Sequence, residues 1–234
     1  MRGDTQAPHI AVLDRGTLAP SGDLLHLLNQ EEAQRYRSFA KRERAAQFLW
    51  SRLAMRTTLA RVLGCPAAAV ELVERAPYPP AVRGAEDLHL SVAHSGRWVV
   101  CAVASWPIGV DIEDTTIERD TPALAEVGLS VVQRDWVRAH PDPARAFYET
   151  WAFNESVVKL AATPAPTLGF TAGATPRVIA PGGEQWLCRH HRGYVLAAVA
   201  RHASSSRVEH LTIAEIDASL ASLQTGQAAA RSVL

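Results

Sequence analysis

Gly109-Val110-Asp111-Ile112-Glu113 sets two carboxylates at i and i+2. In an extended strand alternate side chains leave the same face, so Asp111 and Glu113 point together. Two acids on one face either decorate a solvated strand edge or invite a hard cation. A second stretch is Trp151-Ala152-Phe153-Asn154-Glu155-Ser156-Val157-Val158-Lys159. Positions four apart drift only slightly around a helix axis, so Trp151, Glu155 and Lys159 share a stripe. Taken alone, Glu155 and Lys159 are an exposed i,i+4 pair that stabilises its helix by about 0.2–0.5 kcal/mol. Phe147 and Trp151 precede them on that stripe, however, and aromatics usually mark the buried side. A carboxylate and an ammonium there need partners; a metal ion for Glu155 and a phosphate for Lys159 would supply them. The third stretch, Ser91-Val92-Ala93-His94-Ser95-Gly96-Arg97, runs a strand end into a glycine turn. Imidazole, hydroxyl and backbone N–H groups suit a phosphate, although a lone turn histidine also serves as a structural hydrogen-bonding group.

Elements must carry these groups. Leu27, Leu28, Phe39, Phe48, Leu49, Leu53, Leu59 and Val62 fall largely at helical spacing before Gly64 and Pro66, which predicts two helices, the second from about Lys41 to Leu63. Residues 71–84 are rich in proline and charge and read as a strand edge and a loop. Leu88 to Ala93, Trp98 to Ala104 and Gly109 to Ile112 read as short strands. Val131 to Leu160 returns to helix, broken near Pro141 and Pro143, with a long second part from about Ala144 to Ala162 that Thr163 to Pro166 ends. Strands follow around Arg177 to Ile179, Gln185 to Cys188 and Tyr194 to Ala200, and the last ten residues read as loosely held.

An internal repeat links the halves. His94-Ser95-Gly96-Arg97-Trp98-Val99-Val100-Cys101-Ala102-Val103-Ala104 matches His191-Arg192-Gly193-Tyr194-Val195-Leu196-Ala197-Ala198-Val199-Ala200, without a gap from the aromatic onward. Phe48, Arg52 and Arg56 match Phe147, Trp151 and Glu155 at the same four-residue intervals. The expected fold is therefore α+β: two pseudo-symmetric lobes, 1–113 and 114–234, each a long helix on a small antiparallel sheet. A ligand cleft is expected between them.

Composition narrows the classes. The chain has 234 residues, 47% hydrophobic and 21% charged, with 24 basic residues balancing 24 acidic ones. Nothing in that balance points to nucleic acid or an anionic membrane surface. No window approaches a membrane span, and Asp4, His9 and Asp14 interrupt any signal-like apolar run. Cys65, Cys101 and Cys188 are an odd, scattered set without a Cys-x-x-Cys pair, which argues against a disulfide framework or a thiolate zinc site. A reducing cytoplasm is the simplest home. His190 and His191 face oppositely on a strand and cannot easily chelate one ion; with Cys188 and Arg189 they read as surface or turn residues. Walker, Gly-x-Gly-x-x-Gly, His-Glu-x-x-His and Gly-x-Ser-x-Gly motifs do not occur.

In order and spacing, His94-Ser95-Gly96, then Ile108-Gly109-Val110-Asp111-Ile112-Glu113, then Trp151 through Lys159 resemble the signature of the 4′-phosphopantetheinyl transferases of the two-lobed, surfactin-synthetase-activating type. The resemblance begins upstream, at Leu28 to Arg35, and continues through Phe39, Phe48 and Arg56. It implies transfer of phosphopantetheine from coenzyme A to a serine of an acyl or peptidyl carrier protein, in polyketide or nonribosomal-peptide assembly, with release of 3′,5′-ADP. It assigns Asp111, Glu113 and Glu155 to Mg²⁺, and Glu155 also to the serine proton as base. His94 and Lys159 would stabilise the pyrophosphate, with Ser95 beside it. Arg35 matches the position that reaches the 3′-phosphate, and Arg52 would assist. Ala76-Pro77-Tyr78-Pro79-Pro80 stands where the family carries a Gly-Lys-Pro segment against the nucleotide, so Pro80 keeps that contact without the lysine. Asn154 likewise replaces a helix lysine. The duplicated lobes are compatible with a monomer, which is the expected state. Two other tasks stay open at this point: a member that binds a carrier protein or coenzyme A thioester without transfer, and one that hands the group to water.

Overall fold

The computed structural model describes residues 7–16, 22–75, 78–160, 165–169, 177–180 and 182–220. Ala76, Pro77, residues 161–164 at the expected helix end and the last ten residues fall outside that set. In chain order the elements are β1 (His9–Asp14), α1 (Gln30–Ser38), α2 (Arg42–Leu63), β2 (Leu72–Arg75), β3 (Tyr78–Val82), β4 (His89–Ser95), β5 (Trp98–Ala104) and β6 (Ile108–Asp114). Then come α3 (Thr121–Gly128), α4 (Val131–Ala139), α5 (Pro143–Leu160), β7 (Thr167–Gly169), β8 (Arg177–Ile179), β9 (Gln185–His191), β10 (Tyr194–Ala200) and β11 (Arg207–Leu211). A further helix covers 213–220. No helix among the described residues is long and apolar enough to cross a membrane.

The chain is α+β, and two small sheets organise it. One runs β11-β1-β5-β4, antiparallel except where β1 meets β11 in parallel; the other runs β6-β10-β9, all antiparallel. The repeat is a pair of matching hairpins: β4–β5 and β9–β10 each pair seven residues with seven across a two-residue turn. Gly96 and Gly193 supply the left-handed φ those turns need. At Gly96 a Cβ would also strike the Asp114 carboxylate at 2.2 Å.

Both central strands are apolar on both faces, and the period of two sorts them. Trp98, Val100 and Ala102 of β5 join Tyr194, Leu196 and Ala198 of β10 in one core shared by the two sheets. The opposite face of β5 carries Val99 toward Leu49 and Leu53 of α2, and Cys101 and Val103 toward Met55 and Leu59. The opposite face of β10 carries Val195 and Ala197 toward Phe147 and Ala152 of α5, and Val199 toward Phe153. Each long helix thus covers one sheet, while the shared core joins them.

Several elements escape the sequence reading, including β3, where a loop is expected, β7 and the 213–220 helix; the physical reason is plainest at three others. β1 is buried on both faces, so it shows an unbroken apolar run instead of alternation. β11 gains its pairing only from β1, nearly two hundred residues earlier. α3 is short and mostly exposed, with little periodicity to detect.

Candidate active site

Alternation along β6 decides where its acids go. Ile108, Val110 and Ile112 enter the shared core, so Gly109, Asp111 and Glu113 face α5. The Ser91 hydroxyl accepts the Val110 N–H at 3.0 Å and fixes β6 against β4. Gly109 permits close approach, because a Cβ there would lie 1.8 Å from the Ser156 carbonyl oxygen of α5. Lys159 Nζ consequently reaches Asp111 Oδ1 at 2.5 Å.

Asp111 is only 5% exposed, and its Oδ2 is buried without a hydrogen-bond partner. Burial pushes its pKa up to about 7; Lys159 opposes the rise, while the nearby Glu113 and Glu155 charges add to it. Glu155 is half-buried on α5, one turn before Lys159. The three acids therefore share one electrostatic neighbourhood. Glu113 Oε2 accepts from Ser95 Oγ at 2.8 Å and from Arg119 Nη1 at 2.6 Å, and Arg119 Nη2 also donates to Ser95 Oγ at 3.0 Å. Among the described residues, the one group of three that brings its ligand atoms within 4.8 Å of one another is Glu149, Cys188 and His190. Asp111, Glu113 and Glu155 are neighbours without a formed ligand sphere. Two of them are held by Lys159 and Arg119. An all-oxygen donor set with an orphaned buried oxygen at Asp111 fits a hard cation such as Mg²⁺.

Beside the acids opens a cleft of about 480 Å³. Arg35 of α1, Arg44, Phe48 and Arg52 of α2, Tyr78 and Pro80 of β3, His94 of β4 and Lys159 of α5 border it. The sequence expectations Arg35, Arg52, Pro80, His94 and Lys159 meet on this wall. Ser95 instead sits with Glu113 and Arg119. Two carboxylates aim the arginines from behind. Glu32, with no exposed surface, pairs with Arg52 at 3.3 Å and Arg56 at 2.6 Å, and Glu74 pairs with Arg35 at 2.7 Å and also with Arg52. Arg52 further lies over the Phe48 ring at 4.4 Å.

Sequence reasoning missed Arg44 and Arg119. Arg44 was legible, since it continues the Phe48, Arg52, Arg56 series one step earlier at the same four-residue interval. Arg119 follows β6 in irregular chain, where no periodicity points to it.

His94 is neutral in this setting. Burial lowers its pKa to about 4, and Arg44, Lys159 and Arg15 push the same way. It is an uncharged imidazole in the ligand-free protein. NMR of the ring proton should show no His94 titration between pH 5 and 8, with the midpoint moving upward once inorganic pyrophosphate fills the cleft. A midpoint near 6.5 in the free protein would contradict this environment.

A cleft walled by guanidinium and ammonium groups next to partnered acids can hold a polyphosphate and a cation together. Comparison with known proteins agrees with that chemistry. Residues 21–106 match the family model described as 4′-phosphopantetheinyl transferase, N-terminal, and residues 107–199 match the one described as 4′-phosphopantetheinyl transferase superfamily. A 4′-phosphopantetheinyl transferase of Bacillus subtilis is 32% identical over 152 residues, covering 64% of this chain and 67% of that protein. The 4′-phosphopantetheinyl transferase Sfp of Bacillus subtilis (strain 168) is 29% identical over 153 residues, covering 56% of this chain and 64% of that protein. Another, gsp of Aneurinibacillus migulanus, is 33% identical over 75 residues, 31% of each chain. With two consecutive family matches that together span residues 21–199 and relatives of the Sfp type, this chain belongs to the 4′-phosphopantetheinyl transferase superfamily.

Proposed function

We propose that the chain transfers 4′-phosphopantetheine from coenzyme A to a serine of an acyl or peptidyl carrier protein, in a Mg²⁺-dependent reaction that releases 3′,5′-ADP. The observation that carries this reading is the cationic cleft of Arg35, Arg44, Arg52 and Lys159, whose Lys159 also bonds the buried Asp111. Arg35 and Arg52 bind the 3′-phosphate end and Pro80 packs on the nucleotide. Lys159 and the His94 imidazole hold the pyrophosphate. Asp111, Glu113 and Glu155 would hold Mg²⁺, which supplies charge neutralisation and orientation at the pyrophosphate. Glu155 takes the proton from the carrier serine as its oxygen bonds to the β-phosphorus, and the bond from that phosphorus to the 3′,5′-ADP oxygen breaks. Lys159 moves from Asp111 to phosphate oxygens as the site fills, and its charge stabilises the developing negative charge.

The carrier must bring its serine to Glu155. Val127 of α3, Val131 and Val132 of α4 and Val158 of α5 are exposed, and hydrogen bonds between Gln133 and Asn154 join α4 to α5. They are apolar groups on α3, α4 and α5 that a carrier could contact. The reading places the protein in the cytoplasm as a monomer, acting on carriers of polyketide or nonribosomal-peptide assembly. Incubation with Mg²⁺, coenzyme A and an apo carrier should add the mass of phosphopantetheine to the carrier, read by intact mass spectrometry. No shift across several carriers, with 3′,5′-ADP absent, would sink the reading.

Arg44→Ala should raise KM for coenzyme A about ten- to a hundred-fold while lowering kcat much less, because a lost charge-assisted contact costs about 1.5–3 kcal/mol. Steady-state kinetics at fixed carrier concentration checks it. An unchanged KM would remove Arg44 from the phosphate wall.

A further inference from the structure

On the far edge of the second sheet, two strands away from the acids of β6, α5 and β9 bring together groups the transfer reaction does not use. We propose that Glu149, Cys188 and His190 form a zinc-type site, with a thiolate, an imidazole and a carboxylate as ligands and the fourth position open to water. Cys188 and His190 stand at i and i+2 on β9 and so share a face. Glu149 comes to them from α5. Cys188 Sγ lies 3.8 Å from His190 Nε2, near the ~3.5 Å edge that a shared tetrahedral zinc imposes with Zn–S of about 2.3 Å and Zn–N of about 2.0–2.1 Å. His190 Nε2 also contacts Glu149 Oε1, and the ligand atoms of all three lie within 4.8 Å of one another. Arg145 donates to Glu149 Oε1 at 3.0 Å and orients that carboxylate.

Donor chemistry selects the ion. One thiolate and one imidazole disfavour Mg²⁺ and Ca²⁺, whereas zinc and cobalt(II) accept N, S and O together. Without an ion the Cys188 thiol is held well above its usual range, at about 12, by burial and the Glu149 charge. Binding therefore forms the metal–sulfur bond as the S–H bond breaks, and the proton leaves to solvent. The bound ion would pin β9 to α5, the helix that also carries Glu155 and Lys159. This inference does not depend on the transfer reaction.

Cobalt(II) titration of the full chain in Mg²⁺ buffer tests it, because a thiolate-to-cobalt charge-transfer band reports this site and not an all-oxygen one. The band should saturate at one ion per chain, be displaced by zinc, vanish in Cys188→Ser and persist in Cys65→Ser. His190→Ala keeps the sulfur and should weaken cobalt binding about a hundred-fold or more. Circular dichroism of each variant separates lost ligation from lost folding, and transfer to an apo carrier in Mg²⁺ should survive Cys188→Ser. Absence of the band in the wild-type chain, its survival in folded Cys188→Ser, or unaltered affinity in folded His190→Ala would each overturn the proposal.

Discussion

Asp111→Asn should abolish transfer and at the same time make the protein more stable. The amide keeps the size of the side chain but removes the negative charge that the cation and Lys159 require, so kcat/KM should fall by at least about 10²–10³-fold. Stability moves the other way. The folded-state pKa of Asp111 is raised from 3.8 to about 7, mainly by burial. A carboxyl whose pKa is raised on folding binds more protons in the folded chain, so wild-type stability declines as pH climbs from about 4 to about 7 and is level above. The ionised form then costs the ligand-free protein on the order of 4 kcal/mol. Asn escapes that cost but leaves Lys159, which reaches solvent, without its partner. The net gain should be about 1–3 kcal/mol above pH 7, a rise of several degrees in Tm, shrinking to nothing below pH 4. Thermal melts across pH, without Mg²⁺, test this beside the transfer assay. Retained transfer, or melting curves that match wild type at pH 8, would refute the role given to Asp111.

Gly109→Ala should damage the protein more than any other single methyl at the site. The added Cβ would meet the Ser156 carbonyl oxygen at 1.8 Å and the Leu160 backbone nitrogen at 2.7 Å. Both are backbone atoms of α5, so no side-chain rotation relieves the clash and the helix must move. Overpacking against backbone should cost about 3 kcal/mol or more. Whatever folds should have Glu155 and Lys159 displaced from Asp111, and a shift of about 1 Å can cost about 10²-fold in rate. Denaturant melts and transfer kinetics on the same preparation give both readouts. Wild-type Tm with wild-type kcat would mean that α5 does not seat on β6 as described.

The two predictions turn on residues of different visibility. Asp111 and Glu113 announce themselves by their i,i+2 spacing, and β6 does send both to the α5 face. Gly109 announces nothing: among 14 glycines its sequence context does not tell a close helix from an ordinary strand position. Glu32 is similar. Its place before Ala33 reads as an exposed helix start, yet it is wholly buried, because Arg52 and Arg56 come to it from another helix. The zinc-type cluster fell to the same difficulty. A count of cysteines searches for spacing within one segment, whereas Glu149 joins Cys188 and His190 across a helix–strand contact.

Local order in the sequence was enough to set the α+β class, the two long helices, the matching hairpins and the faces of their chemical groups. Those follow from periods of 3.6 and 2, which neighbours in the chain dictate. The tertiary structure alone decided that β11 returns to β1, that Arg119 joins the site, and that Asp111 is held by Lys159 while Glu113 is held by Arg119 and Ser95. Each of those depends on packing between segments far apart in the chain, where a side chain's partner and its exposure to water are set by what folds against it.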